Sequence, residues 1–312
     1  MAKEKCPTCG KGVTAKQMAS VLSPESLDNL GTVDKLNKDL KNKIKTLTKN
    51  EVRYIVDYYY MIQENRKRNS NQVTAFGKDN EPHDLFKFLN DQTMVLENQI
   101  KRSMDYWTDS FTVAKILKEK VFGIGPVITA GLVAHIDMKK AKTAGAIWRY
   151  AGLDPTVKWE KGQKRPWNAS LKTLCWKIGQ SFMKFSNNDK CFYGKLYREH
   201  KEHLVKKNLE GGFKDLANSV ATSKNFKNKE VLAKYKSGIL PDGHIDAMAR
   251  RWVVKLFLSN VHELWCKVEG IDCPKPYVMA HLGHTHHIIQ PDLLDIDAYI
   301  EKKDEKKEDK NA

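Results

Sequence analysis

The sequence predicts an all-α protein, a helical hairpin arm followed by a helix-hairpin-helix domain. Almost every periodic segment repeats its apolar residues at helical spacing, and no two alternating runs are joined by a hairpin turn. A third observation is the stretch Val121-Phe122-Gly123-Ile124-Gly125-Pro126-Val127, which stands between two short apolar segments. Its two glycines open backbone conformations closed to other residues and leave no side chain over the amides. Pro126 sits where a first helical residue belongs. A helix start so bared favours a phosphate.

Composition bounds the partners. The chain has 312 residues, enough for one large domain or two modest ones. Lys and Arg number 54 against 38 Asp and Glu, a net charge of +16 that calls for a polyanionic partner. No apolar run is long enough to span a membrane, and the start Met1-Ala2-Lys3-Glu4-Lys5-Cys6 lacks a signal-peptide core. Six irregularly spaced cysteines fit a reducing compartment, so a cytoplasmic location in a bacterial host is expected.

Residues 1–13 form a Cys-x-x-Cys segment, in which Cys6 and Cys9 can reach one zinc ion as half of a four-ligand site. The other ligands are sought among Cys266, Cys273, His281 and His284, in a His- and Cys-containing segment at 269–312 that ends in a mixed-charge tail. Residues 14–110 read as the helical arm. Leu36, Leu40, Ile44 and Leu47 make a narrow stripe, and Thr48-Lys49-Asn50-Glu51 is a capping box that starts a helix burying Val52, Ile55, Val56 and Tyr59. After Pro82, Leu85, Leu89, Leu96, Ile100 and Met104 mark a second long helix, antiparallel to the first.

Residues 111–268 form the main domain, with a polar insertion at 205–243. A helix carrying Phe111, Ala114, Ile116 and Leu117 leads into the glycine turn. Beyond the next helix come Lys139, Lys140 and Lys142, then a small-residue helix closed by Gly152. The stretch from Lys158 to Asn168 combines Lys158, Lys161, Lys164 and Arg165 with Trp159 and Trp167, a composition suited to a phosphate backbone and a stacking or wedging ring. The candidate nucleic-acid contacts are Gly123, Ile124, Gly125, Val127, Lys139, Lys140, Lys142, Lys158, Trp159, Lys161, Lys164, Arg165, Trp167, Asn168 and Lys172.

Five pieces in order carry a resemblance: Gly123-Ile124-Gly125-Pro126, Tyr150-Ala151-Gly152-Leu153-Asp154-Pro155, the basic loop, Asn168-x-x-Leu171-Lys172, and Phe192-Tyr193-x-x-Leu196. Together they resemble the C-terminal domain of the DEDD transposases and Piv-type DNA invertases of bacterial insertion sequences. The helix containing His244 to Val254 is similar to that family's last helix, where a basic residue precedes an apolar run. The resemblance implies a transposase-type helix-hairpin-helix domain acting on DNA in phage or mobile-element transposition or recombination. The family's N-terminal RuvC-like domain has no counterpart in the first hundred or so residues, which read as helices. The family's candidate nucleophile is a serine in a Ser-Gly pair; the matching positions here are Glu160, Lys161 and Gly162, with Thr156 and Ser170 only flanking the loop.

Three functions stay open. The first is DNA binding through the phosphate backbone, in a chain able to form a homo-oligomer. The second is an active recombinase or nuclease with relocated chemistry, using Mg at Asp137, Asp154 or Glu160, or a metal near His284. The third is an RNA-binding or RNA-guided partner protein.

Overall fold

Helix follows helix through the computed structural model, which describes residues 4–5, 12–13, 36–78, 84–274, 287–297 and 299–300. Among them are eleven α-helices, one 3-10 turn and one antiparallel strand pair, β1 (Glu4–Lys5) and β2 (Gly12–Val13), two residues each. The predicted all-α class is thus the observed one. Cys6, Cys9, His281, His284 and the charged tail lie outside the described residues.

The chain forms two compact units, Met1–Lys41 with Met61–Ile100 and Asn42–Tyr60 with Lys101–Ala312. The first takes residues from α1 (Lys38–Ile44), α2 (Lys49–Phe76) and α3 (Asp84–Thr108). Its α2 and α3 portions run antiparallel, because Arg66 pairs with Glu97, Ser70 donates to Asn90 at 2.8 Å, and Phe76 meets Phe86 at 5.2 Å. Ile100 is buried, yet Leu85 and Leu89 of the predicted apolar stripe are 54% and 46% exposed. A two-helix layer gives such a stripe too little to pack against at its far end.

The second unit begins with the capping box: the Thr48 amide donates to Glu51 at 2.7 Å and the Glu51 amide to Thr48 Oγ1 at 3.3 Å. Val52, Val56 and Tyr59 then face inward. Next come α4 (Thr112–Lys120) and α5 (Pro126–His135), joined by the glycine turn, then α6 (Ala144–Tyr150), α7 (Ala169–Lys184) and α8 (Phe192–Leu209). The polar insertion folds as α9 (Lys214–Ser223) and α10 (Lys229–Lys236) before α11 (Asp242–Glu269). Its base is closed by the buried Asn208 amide group, which donates to the Leu240 carbonyl at 2.9 Å and accepts from the Leu240 amide at 3.0 Å.

Helix α11 packs against α4, α6, α7 and α8. Phe182, Tyr193 and Phe257 interlock with ring centroids 5.0 to 5.3 Å apart. Every residue of α5 from Val127 to His135 is buried, as an all-round apolar helix requires. Its last carbonyls are met by cations, with Arg53 Nε donating to Ala134 at 2.9 Å and Lys49 Nζ to Ile136 at 3.3 Å.

Candidate nucleic-acid interface

The α4–α5 turn is held from its carbonyl side. Gly123 takes a φ of 91°, open to glycine alone at little cost, and its carbonyl accepts from Ser181 Oγ at 2.6 Å. The Cys191 thiol donates to the Phe122 carbonyl at 3.6 Å, and Phe122 meets Phe185 edge to face. Of the candidate donors, the Ile124 amide is taken by the Val121 carbonyl at 3.1 Å, and the Ile124 and Val127 side chains are buried. Gly125 caps α5 in extended backbone, and a Cβ there would meet nothing within 4 Å. Helix geometry leaves the Val127 and Ile128 amides without an intrahelical acceptor beside it.

Lys139, Lys140 and Lys142 are exposed in the α5–α6 connection. Asp137 builds that turn, accepting from the Lys139 amide at 3.1 Å. Asp154 does the same for the next loop: Thr156 donates to it from Oγ1 at 2.7 Å and from its amide at 2.9 Å. These hydrogen bonds, with Arg149 and Lys255 nearby, hold the Asp154 carboxyl below its usual range. Glu160 is exposed, and no group of three or more acidic or histidine ligands forms around Asp137, Asp154 or Glu160 among the described residues. The flanking Ser170 hydroxyl donates to Asp57 at 3.3 Å.

The basic loop folds around its indoles. Trp159 and Trp167 meet at 6.1 Å and 64°, and Trp159 Nε1 donates back to the Gln163 carbonyl at 2.8 Å. Arg165 lies over the Trp159 ring at 5.5 Å, and Lys172 over Trp167 at 3.9 Å. Gly152, at φ 65°, lets Trp167 approach so closely that a Cβ would sit 2.7 Å from the ring. Asn168 caps α7 by accepting from the Leu171 amide at 2.8 Å, and its side-chain amide donates to the Tyr150 hydroxyl at 3.1 Å. Tyr150, Lys164, Arg165, Pro166, Trp167 and Asn168 line an open cleft of about 440 Å³.

Further cations converge from α11. Partial desolvation, then Arg165 and Arg251, push the Lys172 pKa down; desolvation, then Arg251, do the same to Lys255, against the pull of Asp154. Arg251 is itself lowered by desolvation and then by Arg250, which is committed to Asp246 at 2.7 Å. The structure therefore joins Trp159, Arg165, Trp167, Asn168 and Lys172, with Lys158, Lys161 and Lys164 exposed in the same loop. The turn at Gly123 and the lysines at 139, 140 and 142 have their own settings. Sequence reasoning missed Arg251 and Lys255, although their i, i+4 spacing in the last helix puts both on one face.

One group of the described residues can hold a metal ion: His262, Cys266 and Cys273, whose ligand atoms all lie within 4.8 Å of one another. Sequence reasoning had named the two cysteines but not His262, whose signal was its spacing of four residues from Cys266 on one helix.

Residues 115–193 match the family described as "Transposase IS116/IS110/IS902 family". The matched span runs from α4 through the turn and the basic loop to the start of α8, and supports a transposition-related function with a nucleic-acid partner. No curated protein and no solved structure matches the chain. No described helix is long and apolar enough to cross a membrane.

Proposed function

We propose that residues 111–268 are a helix-hairpin-helix domain of the DEDD-transposase type that grips the phosphate backbone of DNA in mobile-element or phage recombination. Residues 14–110 would be its arm, and 1–13 and 269–312 its flanking segments. The carrying observation is the cluster of Arg165, Lys172, Arg251 and Lys255, in which Lys172 lies over the Trp167 ring at 3.9 Å and Lys255 over the Trp148 ring at 5.6 Å. Partial desolvation, then the Arg165 and Arg251 charges, lowers the Lys172 pKa; desolvation, then Arg251, lowers that of Lys255, which Asp154 offsets. Like charges held together cost stability until an anion neutralises them. A phosphate chain laid along the cluster would provide that neutralisation.

The indoles supply what charge alone does not. Trp167, with Lys172 over its face, lines the cleft from which a base or sugar would be met. The Gly125, Val127 and Ile128 amides would hold a further phosphate. The match at 115–193 supports transposition-related DNA over other polyanions.

The test is a binding titration across salt concentrations with duplex, branched and single-stranded DNA and a structured RNA. Affinity should fall steeply with salt, and each of Arg165→Ala, Lys172→Ala and Arg251→Ala should flatten the log–log slope by about one unit. Affinity indifferent to ionic strength would sink the reading. Stronger competition by the RNA than by any DNA form would move it to an RNA partner.

A further inference from the structure

The last turn of α11 and the chain just beyond it converge on one imidazole. Gly270, at φ 66°, ends the helix in a Schellman turn: its amide donates to the Lys267 carbonyl at 3.3 Å and the Ile271 amide to Cys266 at 2.9 Å. That reversal brings Cys273 back over the helix end. Its Sγ lies 3.8 Å from His262 Nδ1, and Cys266 Sγ, one turn along α11 from His262, lies beside the ring, 4.0 Å from Nδ1 and 3.8 Å from Nε2. The other ring nitrogen, Nε2, is 2.8 Å from the Ala141 carbonyl. A carbonyl only accepts, so Nε2 carries the proton and Nδ1 keeps a free lone pair on the nitrogen that the Cys273 sulfur approaches.

We propose that His262, Cys266 and Cys273 bind a zinc ion, a site independent of the nucleic-acid reading above. Tetrahedral zinc with bonds of about 2.3 Å to sulfur and about 2.0 Å to nitrogen sets its ligand atoms roughly 3.5–3.8 Å apart. The Cys273 separation lies within a few tenths of an ångström of the sulfur–nitrogen end of that range, about 3.5 Å, and the Cys266 sulfur needs to close by about half an ångström. A metal-bound histidine characteristically donates its second ring N–H to a carbonyl, the role Ala141 fills. Soft thiolates with one imidazole select zinc over magnesium or calcium.

Two other cysteines of the same unit provide the contrast. Cys175 is buried, with its thiol pushed up to about 12 by desolvation, and the Cys191 thiol donates to a carbonyl. Neither meets an imidazole nitrogen and a second sulfur. At Cys266 and Cys273 a divalent cation would supply the countercharge that lets both thiols ionise. On binding, each thiol releases its proton to solvent and each sulfur forms a bond to zinc. A water or a further donor takes the fourth position.

The ion would also act beyond its ligands. By fixing His262 it fixes the hydrogen bond to Ala141, which lies between Lys140 and Lys142. The site would hold the basic α5–α6 connection against the end of α11.

The experiment is metal analysis of the full chain in a Cys6→Ser, Cys9→Ser background, together with cobalt substitution. About one zinc per chain is expected, lost in Cys266→Ser and Cys273→Ser and kept in Cys175→Ser. The cobalt form should show a thiolate-to-cobalt charge-transfer band that the same two variants abolish. Should that background fail to fold, Cys273→Ser in the otherwise unaltered chain should lower zinc content by about one equivalent while circular dichroism stays helical. A folded protein that takes up no zinc when it is supplied, zinc content indifferent to Cys273→Ser, or a Cys266–Cys273 disulfide in the purified chain overturns the proposal.

Discussion

At the Gly123–Val127 turn the groups offered to an anion are backbone amides, rigid and uncharged, seated on a helix whose every side chain from Val127 to His135 is buried. At the Lys158–Asn168 loop they are exposed, long cationic side chains, of which Arg165 lies over Trp159, while Lys172 of α7 lies over Trp167. The turn is pinned from behind by Ser181 and Cys191, whereas the loop is braced by its own rings, by Gly152 and by the Asn168 cap. The difference separates two kinds of recognition. On the proposed reading, fixed amides would set the position of one phosphate, and clustered cations would set affinity and its dependence on salt.

The largest effect should come from stripping the cations. Combined Arg165→Ala, Lys172→Ala and Arg251→Ala is expected to weaken DNA binding by roughly 10²-fold or more near 0.1 M salt. The unfolding midpoint should rise or stay level, because mutual repulsion is relieved. Fluorescence anisotropy and urea denaturation read the two quantities separately, and parallel losses in both would assign these residues to stability instead.

Gly152→Ala attacks the loop through its scaffold. A methyl placed 2.7 Å from the Trp167 ring, on a backbone at positive φ, should cost about 2–3 kcal/mol in denaturant unfolding and alter Trp fluorescence. The cost should exceed that of Gly131→Ala, where the backbone is not at positive φ and the obstructing atoms are the terminal methyls of Leu174.

His135 closes α5 at the end opposite the glycine turn, and burial followed by the Arg53 charge lowers its pKa from 6.5 to about 4. The unfolded chain takes up this proton near pH 6.5 and the folded chain resists it to about pH 4. Stability from this group is therefore whole above 6.5 and declines as pH falls through that window. The loss should be on the order of 2 kcal/mol. Urea midpoints measured from pH 7.5 to 4 should show that slope, and His135→Leu should flatten it.

The smallest expected change is the sharpest test of the turn. Gly125→Ala has open space for its methyl and an extended backbone, so stability should move by less than about 0.5 kcal/mol. Binding should drop several-fold, because the methyl stands where a phosphate would approach. Unaltered binding would leave the interface to the basic loop alone.

Much of the fold was legible because its signals are local. The capping box at Thr48, the proline start of α5 and the Gly152 that closes α6 each concern residues a turn apart. Where packing partners come from distant chain the reading thinned: the α3 stripe is buried at Ile100 and Met104 but exposed at Leu85 and Leu89, since periodicity states which face is apolar and not what covers it. Asp137 and Asp154, open as metal ligands by residue type, accept hydrogen bonds from the amides of neighbours two residues on, a turn geometry that residue type alone does not state.

By itself, then, the chain determined its helices, its glycine turn and its excess of positive charge, all of which follow from composition and near-neighbour spacing. Only tertiary structure decided that Arg251 and Lys255 of the last helix join a loop some ninety residues earlier, and that His262 meets Ala141 and two cysteines. Both depend on α11 crossing α6 and α7, and a helical pattern encodes a buried face without naming the element that buries it.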